Sequence, residues 1–163
     1  MARPAQDVAT RQKGTVIVQN SFIADRILIE ALEPRSVSLP SGNGLFLFRQ
    51  GEVPIGLYII LSGAASLLMR AENGDEVAHF TVGAGSILGL PAIVAKEPYS
   101  LSAVACESSD VRFVETEAFN ELMQEQPSLF PKVLNVLAAE VRSARLVLTG
   151  FLGGPRSRSY RVV

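Results

Sequence analysis

The chain has 163 residues, of which 48% are hydrophobic, and its formal net charge is −1 at pH 7. This length suits a single domain with a substantial core, and the near-zero charge excludes a strong overall attraction to nucleic acid. No apolar run approaches the ~20 residues that span a bilayer, and residues 1–19 contain no apolar segment of a signal peptide. The single cysteine, Cys106, excludes an internal disulfide framework. We therefore expect a cytoplasmic protein that does not bind membranes.

The N-terminal part of the chain predicts an arm followed by one helix. Residues 1–19 show no clear periodicity and predict a flexible arm. Over residues 21–32, apolar side chains recur near the 3.6-residue helical period, which predicts a short amphipathic helix. The Glu33-Pro34 pair should end this helix, because the residue before a proline avoids helical backbone angles.

The central part of the chain predicts β-strands. Short apolar runs separated by glycines and other turn residues are typical of an all-β sandwich or barrel. Residues 57–61 are apolar in succession, which predicts a strand covered on both faces. Asn73-Gly74 lies between two strand-like runs and predicts a hairpin, because both residues tolerate positive φ. The predicted strands are residues 35–39, 44–48, 57–61, 64–70, 76–82, 101–105 and 110–114.

The C-terminal third changes to a helical period. Thr116 is the predicted N-cap of a helix that Pro127 ends. A longer helix is predicted over residues 131–149, ended by Gly150, and residues 151–163 form a basic tail. Six acids lie between residues 107 and 125, whereas six basic residues and one acid follow from Lys132 onward. The basic end is interpreted either as solvated surface or as a contact for phosphates or an acidic partner.

The long helix carries a heptad seam, in which apolar residues are spaced 3, 4, 3 and 4 apart. A seam of this kind packs either on its own barrel or against a second copy of the chain. Because Val133, Val136 and Val147 lie off the seam, one helix face can cover the barrel while the other meets a partner. We therefore predict a homodimer. The predicted interface residues are Leu134, Leu137, Val141, Ala144 and Leu148.

The order of glycines between residues 45 and 104 carries a family resemblance. Residues 48–52 (Phe-Arg-Gln-Gly-Glu) are followed by 57–63 (Leu-Tyr-Ile-Ile-Leu-Ser-Gly), 73–76 (Asn-Gly-Asp-Glu) and 83–89 (Gly-Ala-Gly-Ser-Ile-Leu-Gly). These segments resemble the cyclic-nucleotide-binding domain of the bacterial Crp/Fnr regulators, over roughly residues 36–149. The resemblance implies a mainly β fold, a double-stranded β-helix (a jelly-roll-like β-roll) over residues 20–130. It also implies a C-terminal dimerisation helix over residues 131–150 that closes a ligand pocket.

The resemblance also implies a phosphate-binding cassette. In the family, a glycine lets backbone N–H groups approach the phosphate, a glutamate accepts from the ribose hydroxyl, and an arginine neutralises the phosphate. The glycine is kept as Gly89, whereas Leu90 stands at the glutamate position and Tyr99 or Ser100 at the arginine position. On the last helix, Arg145 and the residue before it correspond to the pair that meets the base. The implied ligand-binding residues are Gly89, Leu90, Pro91, Ala92, Tyr99, Ser100, Leu101, Ser102 and Arg145.

This cassette is predicted to be degenerate. Hydrogen bonds to charged groups contribute about 1.5–3 kcal/mol each, so losing both the arginine and the glutamate weakens cyclic-nucleotide binding by several powers of ten. Lys96 could supply a point charge, but it lacks the forked geometry of arginine. Two alternatives to a cyclic nucleotide stay open: Leu90, Ile93 and Val94 fill the pocket, or the pocket takes a different, more apolar ligand. No other cofactor is predicted.

Other classes of function fit less well. Cupins share a similar β-roll, but their metal sites need several histidines, and this chain has only His79. We therefore predict neither a metal site nor an enzyme, and we interpret Cys106 as a packed residue. A DNA-binding Crp/Fnr regulator, or a piece of one, is the other candidate. Residues 151–163 are too few for a helix-turn-helix, so we expect no sequence-specific DNA binding by this chain. The predicted function is a non-catalytic regulatory domain, with a small-molecule effector or a protein as its partner.

Overall fold

A computed structural model of the protein describes residues 15–18, 22–40, 44–152 and 159–162, with side chains over residues 22–40 and 44–145. Two four-stranded antiparallel sheets form the body of this part of the chain. One sheet has the order β2-β9-β4-β7 and the other β3-β8-β5-β6. The strands of these two sheets are β2 (Val37–Ser38), β3 (Leu45–Phe48), β4 (Gly56–Ser62), β5 (Ala64–Arg70), β6 (Glu76–Gly83), β7 (Ile87–Leu88), β8 (Ser102–Ala105) and β9 (Asp110–Glu115).

Strand β4 lies between two hydrophobic clusters, as the run of apolar residues predicts. Because side chains alternate along a strand, Tyr58 and Ile60 join a cluster to which both sheets contribute. Leu57 and Ile59 point the other way and join a second cluster, formed with the helices. Burying each of these side chains contributes about 1.5–3 kcal/mol. The fold is therefore a β-roll with one sheet covered by helices.

The first helix begins later than predicted. Helix α1 (Arg26–Leu32) starts at Arg26 because Asp25 caps it: Oδ1 of Asp25 accepts from the backbone N–H of Ile27 at 2.8 Å. Before the cap, Ile23 pairs with Ser86 as an isolated β-bridge. The helix ends before Pro34, as predicted, in a short 3₁₀ turn.

The hairpin between β5 and β6 is confirmed, with a different turn geometry. Gly74 has a φ of 89°, whereas Asn73 is not among the residues with positive φ. Oδ1 of Asn73 instead accepts from the backbone N–H of Asp75 at 3.1 Å. The turn therefore needs glycine at one position only, and asparagine acts through its side chain.

Two further helices, α3 and α4, follow β9. The predictions for the start of α3 and the end of α4 were wrong. In α3 (Thr116–Glu125), Thr116 is the first helical residue and not the cap, and its Oγ1 is buried without a hydrogen-bond partner among the described residues. Helix α4 (Phe130–Leu152) continues through Gly150, because one glycine costs a helix only about 1 kcal/mol. No helix in the described ranges has the length and apolar character needed to cross a membrane.

The predicted arm and tail each contain a short strand, which corrects the prediction for those residues. Strands β1 (Thr15–Val18) and β10 (Ser159–Val162) pair in parallel. The first has the sequence Thr-Val-Ile-Val, and such β-branched residues favour extended backbone. The other residues of the predicted arm and tail, apart from those in α4, lie outside the described ranges.

Candidate functional site

The segment between β7 and β8 holds the residues that the resemblance assigns to the cassette, and Gly89 fixes its backbone geometry. Gly89 has a φ of 85°, in the left-handed region that favours glycine. A Cβ atom there would lie 3.0 Å from Cε1 of Tyr99 and 3.3 Å from the carbonyl oxygen of Gly56. The six-residue helix α2 (Leu90–Ala95) follows, with Pro91 in its first turn. Gly89 thus brings the cassette backbone against the Tyr99 ring.

Tyr99 is held inside the roll by contacts on every side. Its ring stacks on Phe48, with the ring centroids 4.1 Å apart and the planes 20° apart. Its hydroxyl donates to the carbonyl oxygen of Gly56 at 2.7 Å. Its backbone N–H donates to Glu52 O at 3.0 Å, and the N–H of Gly51 donates to Tyr99 O at 2.8 Å. Burial raises the pKa of Tyr99, so the ring is a neutral, anchored wall of the site.

A cavity of about 30 Å³ lies between the cassette and α4. It holds about two water molecules, far less than a nucleotide. Ser100, which is exposed, lines it and connects it to solvent. No arginine, lysine or histidine is among the described residues that line it. Its apolar wall includes Phe22, Phe48, Leu67, Leu88, Tyr99 and Leu101.

Glu140 is the acidic group of this cavity and the contribution of α4 to it. The residue is half-buried, and its Oε1 is buried and has no hydrogen-bond partner among the described residues. Burial raises the pKa of Glu140 to about 8, because a low-dielectric surrounding disfavours the charged form. Near neutral pH, the carboxyl group is therefore mostly protonated.

Comparisons with known proteins identify the family. The family described as cyclic nucleotide-binding domain matches residues 42–126, more than half of the chain. The chain belongs to the cyclic nucleotide-binding domain family. The predicted resemblance to the Crp/Fnr regulators and the β-roll fold are both confirmed.

Two curated proteins are similar in sequence to this cyclic nucleotide-binding domain. The transcriptional activator protein Anr of Pseudomonas protegens is 30% identical over 104 residues, which cover 63% of this chain and 42% of Anr. The cyclic AMP receptor protein of Thermus thermophilus is 27% identical over 131 residues, which cover 74% of this chain and 60% of the receptor. The chain thus spans about half the length of these relatives.

A solved structure shows the same fold. The catabolite activator protein of Thermus thermophilus superposes with a TM-score of 0.67 at 22% identity, over 78% of this chain and 60% of that one. This likeness concerns the arrangement of the strands and helices of the domain.

Leu90 and Ile93 do not fill the cavity, which corrects one of the two alternatives from the sequence. Both side chains belong to the cluster between the roll and the helices, where Leu90 is 1% exposed. Val94 is 49% exposed. Because successive helical positions point about 100° apart, the cassette helix presents Pro91 and Ala92 to the cavity instead. The stacked rings of Phe48 and Tyr99 lie inside the roll instead.

The other predicted ligand residues divide into two groups. Leu101 and Ser100 line the cavity. Oγ of Ser102 is used elsewhere, accepting from the backbone N–H of Gln50 at 2.9 Å. Arg145 is exposed and is not among the described residues that line the cavity. Helix α4 reaches the cavity with Glu140 instead.

Sequence reasoning missed Glu140, although a signal for it exists. Val133, Val136 and Ser143 are buried on the side of α4 that faces the roll. Glu140 lies four residues after Val136 and three before Ser143, so helical geometry puts it on that same side. An acid within a buried stripe is uncommon, and this spacing could have identified it.

The predicted seam lies on the uncovered side of α4. Leu134 and Val141 are 62% and 51% exposed, Ala144 is exposed, and Leu137 is half-buried. The side chain of Leu148 lies outside the described residues. Phe130, at the start of the helix, is also exposed. One face of α4 therefore packs on the roll while an apolar face is left open, as the two-faced pattern predicts.

The described residues contain no group of three histidine, cysteine, aspartate or glutamate side chains able to hold a metal ion. His79 lies on β6, where Nδ1 is 3.6 Å from Oε1 of Glu76. Its surroundings are those of a residue on the surface of a strand.

Proposed function

We propose that this chain is a non-catalytic, cytoplasmic regulatory domain whose pocket does not take a cyclic nucleotide. The observation that carries the proposal is the cavity itself. It holds about two water molecules, its described lining contains no cation, and its acidic group is Glu140. A phosphodiester carries a negative charge, and burying that charge without a cationic partner is strongly unfavourable.

The aromatic stack supports the same conclusion. Tyr99 stands at or beside the position where the resemblance implies an arginine, and its ring packs on Phe48 within the roll. The hydroxyl is already bonded to Gly56 O. Making room for a ribose phosphate would break this bond and the stack together. Aromatic pairs contribute about 0.5–1.5 kcal/mol beyond their buried area, so this opening opposes nucleotide binding further.

Calorimetric titration with cyclic AMP and cyclic GMP tests the proposal. We expect no binding heat up to millimolar nucleotide, with adenosine as the control that lacks the phosphate. Micromolar binding of either cyclic nucleotide, together with no binding of adenosine, would show that backbone groups or Lys96 replace the missing arginine. That result would refute the proposal.

The proposal includes a homodimer through α4. The open face holds Leu134 and Val141, and its continuity with Phe130 gives a stripe along the exposed side of the helix. The opposite side carries Glu140 into the cavity. A ligand in the cavity and the second copy of the chain would therefore both contact α4. A ligand that shifts α4 between two packings on the roll would change the dimer interface and so transmit a signal.

A role in transcription regulation is the second candidate, and the similarity to Anr favours it. In this case the domain would act together with a DNA-binding part of a longer protein. A gene deletion complemented by the wild type, followed by transcript profiling, tests this role. An unchanged transcript profile after deletion would exclude it.

A further inference from the structure

Glu140, which lines the cavity, has a carboxyl oxygen without a hydrogen-bond partner among the described residues. Oε1 of Glu140 is buried and accepts no hydrogen bond from the described residues. Buried polar groups in folded proteins nearly always have a partner, whether protein, water or ligand. The residue also lines a cavity that reaches solvent beside Ser100. A partner for the carboxyl group can therefore come from outside once the cavity widens.

The walls define the chemistry of that partner. Phe22, Phe48 and Leu101 are apolar, and Tyr99 presents an aromatic ring whose hydroxyl is already bonded. No basic residue lines the cavity among the described side chains. Carboxylates pair with cationic donors, and aromatic faces attract cations through their quadrupole. A complementary ligand thus has a cationic N–H donor on an apolar body.

We propose that the cavity between the cassette and α4 binds a small organic ammonium, whose charged head donates to Glu140 and whose apolar part packs against Phe22, Phe48 and Leu101. This inference rests on the proposed function, since it names the class of effector for the same site. In this proposal, Glu140 is the residue of α4 that accepts a hydrogen bond from the ligand. The resemblance alone implies Arg145 as the ligand-binding residue of this helix.

Binding must widen the cavity. Its present volume of about 30 Å³ holds about two water molecules, less than an alkylammonium needs. The cassette and α4 both line it, so the ligand must separate them. Since α4 also carries the exposed stripe at Leu134 and Val141, the ligand would change the position of the proposed dimer helix.

The proton balance of binding provides a direct readout. Near neutral pH, Glu140 is mostly protonated, because burial raises its pKa to about 8. An ammonium ion keeps its own protons and donates one N–H to the carboxylate. The carboxyl proton must therefore leave to the buffer, and close to one proton is released for each ammonium bound.

Calorimetry with n-butylammonium chloride tests the proposal. The matched probes are n-butanol, which is neutral, and sodium butyrate, which is anionic. We expect binding of butylammonium only. Glu140→Gln, which keeps the shape of the side chain, should weaken this binding by at least ~10-fold, as the loss of one charge-assisted hydrogen bond requires. Glu107→Gln, a change in an exposed turn, should leave it unchanged.

Two buffers of different ionisation enthalpy measure the released proton on the wild-type protein, so the test holds even if Glu140→Gln folds poorly. No binding of butylammonium at millimolar concentration would overturn the inference and leave water as the partner of Oε1. Equal affinity of Glu140→Gln, or binding without proton release, would also overturn it. Binding of cyclic AMP would instead refute the proposed function, so the two failures are distinguishable.

Discussion

Asp25 joins the first helix to the last through its single carboxylate. Oδ1 accepts from the N–H of Ile27 and caps α1, while Oδ2 accepts from Nζ of Lys132 in α4, with both distances 2.8 Å. The hydrogen bond from Lys132, followed by that from Ile27, lowers the pKa of Asp25 below its ordinary value of 3.8. The side of α4 that faces the roll is therefore anchored near its N-terminus, about two helical turns before Glu140.

Substitution of Asp25 separates the two roles of its carboxylate. Asp25→Asn keeps a capping oxygen but loses the ion pair, whereas Asp25→Ala loses both. Since asparagine caps about as well as aspartate, and exposed ion pairs contribute little, we expect the melting temperature to fall clearly for alanine and little for asparagine. Lys132→Met should resemble Asp25→Asn. Equal losses for alanine and asparagine would show that the ion pair, and not the cap, is important.

The same carboxylate predicts a pH dependence. Because its pKa is lower in the folded state than in the unfolded chain, the stabilisation is present above the unfolded pKa. It is lost as the pH falls through the folded pKa. Denaturant unfolding of wild type and Asp25→Ala across the acid range should therefore give curves that converge at low pH. Parallel curves would contradict the assignment.

Glu140 predicts the opposite slope at higher pH. Its pKa is raised to about 8 by burial, so between the ordinary glutamate pKa and about pH 8 the folded state binds more protons than the unfolded state. Stability therefore falls as the pH rises through this window. Glu140→Gln removes the effect, and we expect it to gain about 1–4 kcal/mol relative to wild type at the upper end. A gain that does not depend on pH would contradict the raised pKa.

The hydroxyl of Tyr99 should contribute measurably to stability. Tyr99→Phe removes the hydrogen bond to Gly56 O while keeping the stack on Phe48. We expect a loss of about 0.5–1.5 kcal/mol in the free energy of unfolding, the usual net value of such a bond. Tyr58→Phe is the matched control, since the Tyr58 hydroxyl makes no hydrogen bond among the described residues. A larger loss at Tyr58 would reverse this assignment.

A pair of glycine variants isolates the contact between the cassette and Tyr99. Gly89 and Gly74 have φ values of 85° and 89°, so alanine at either is strained by about 1–2 kcal/mol. At Gly74 nothing lies within 4 Å of an added Cβ, whereas at Gly89 the Tyr99 ring lies at 3.0 Å. Gly89→Ala should therefore lower the free energy of unfolding more than Gly74→Ala. If the two losses are equal, the ring moves away freely.

A charged residue in the middle of the exposed apolar face of α4 tests the proposed homodimer. Val141→Glu places a carboxylate in the proposed interface, and light scattering should then report a monomer in place of a dimer. Asn135→Glu, at an exposed position off the seam, should keep the dimer. Because Val141 is exposed within one chain, its substitution should leave the melting profile of the monomer nearly unchanged. A wild-type monomer would refute the dimer without any variant.

The fold could be predicted from the sequence because its signals are local. The apolar run over residues 57–61, the Asn73-Gly74 turn and the heptad seam each fix one element within a few residues. The ends of elements were less certain, since they depend on distant partners. Thr116, for example, gives its backbone N–H to Ile55 O at 3.1 Å, across the fold.

The site could be predicted only in part. Gly89 and the cassette follow from the family resemblance, as does the absence of an arginine at Tyr99 or Ser100. The orientation of the Leu90 side chain could not be predicted, and neither could the residue of α4 that lines the cavity. Both depend on how the helices pack on the roll. Arg145 and Glu140 are five residues apart in the sequence, and the rotation of α4 about its axis determines which of them lines the cavity.

The burial of Leu90 limits how the cassette could be redesigned. Its side chain is enclosed among aliphatic groups beneath the helices, so on this backbone a carboxylate at the same position would be a buried charge without a partner. A single substitution cannot rebuild a ribose contact there, and an arginine beside Tyr99 would still find the space filled. A buried, unpaired carboxylate at position 90 would lower the stability of the domain before it contacted any ligand. Redesign of this cassette for a ribose phosphate would therefore need the surroundings of Leu90 and Tyr99 changed together.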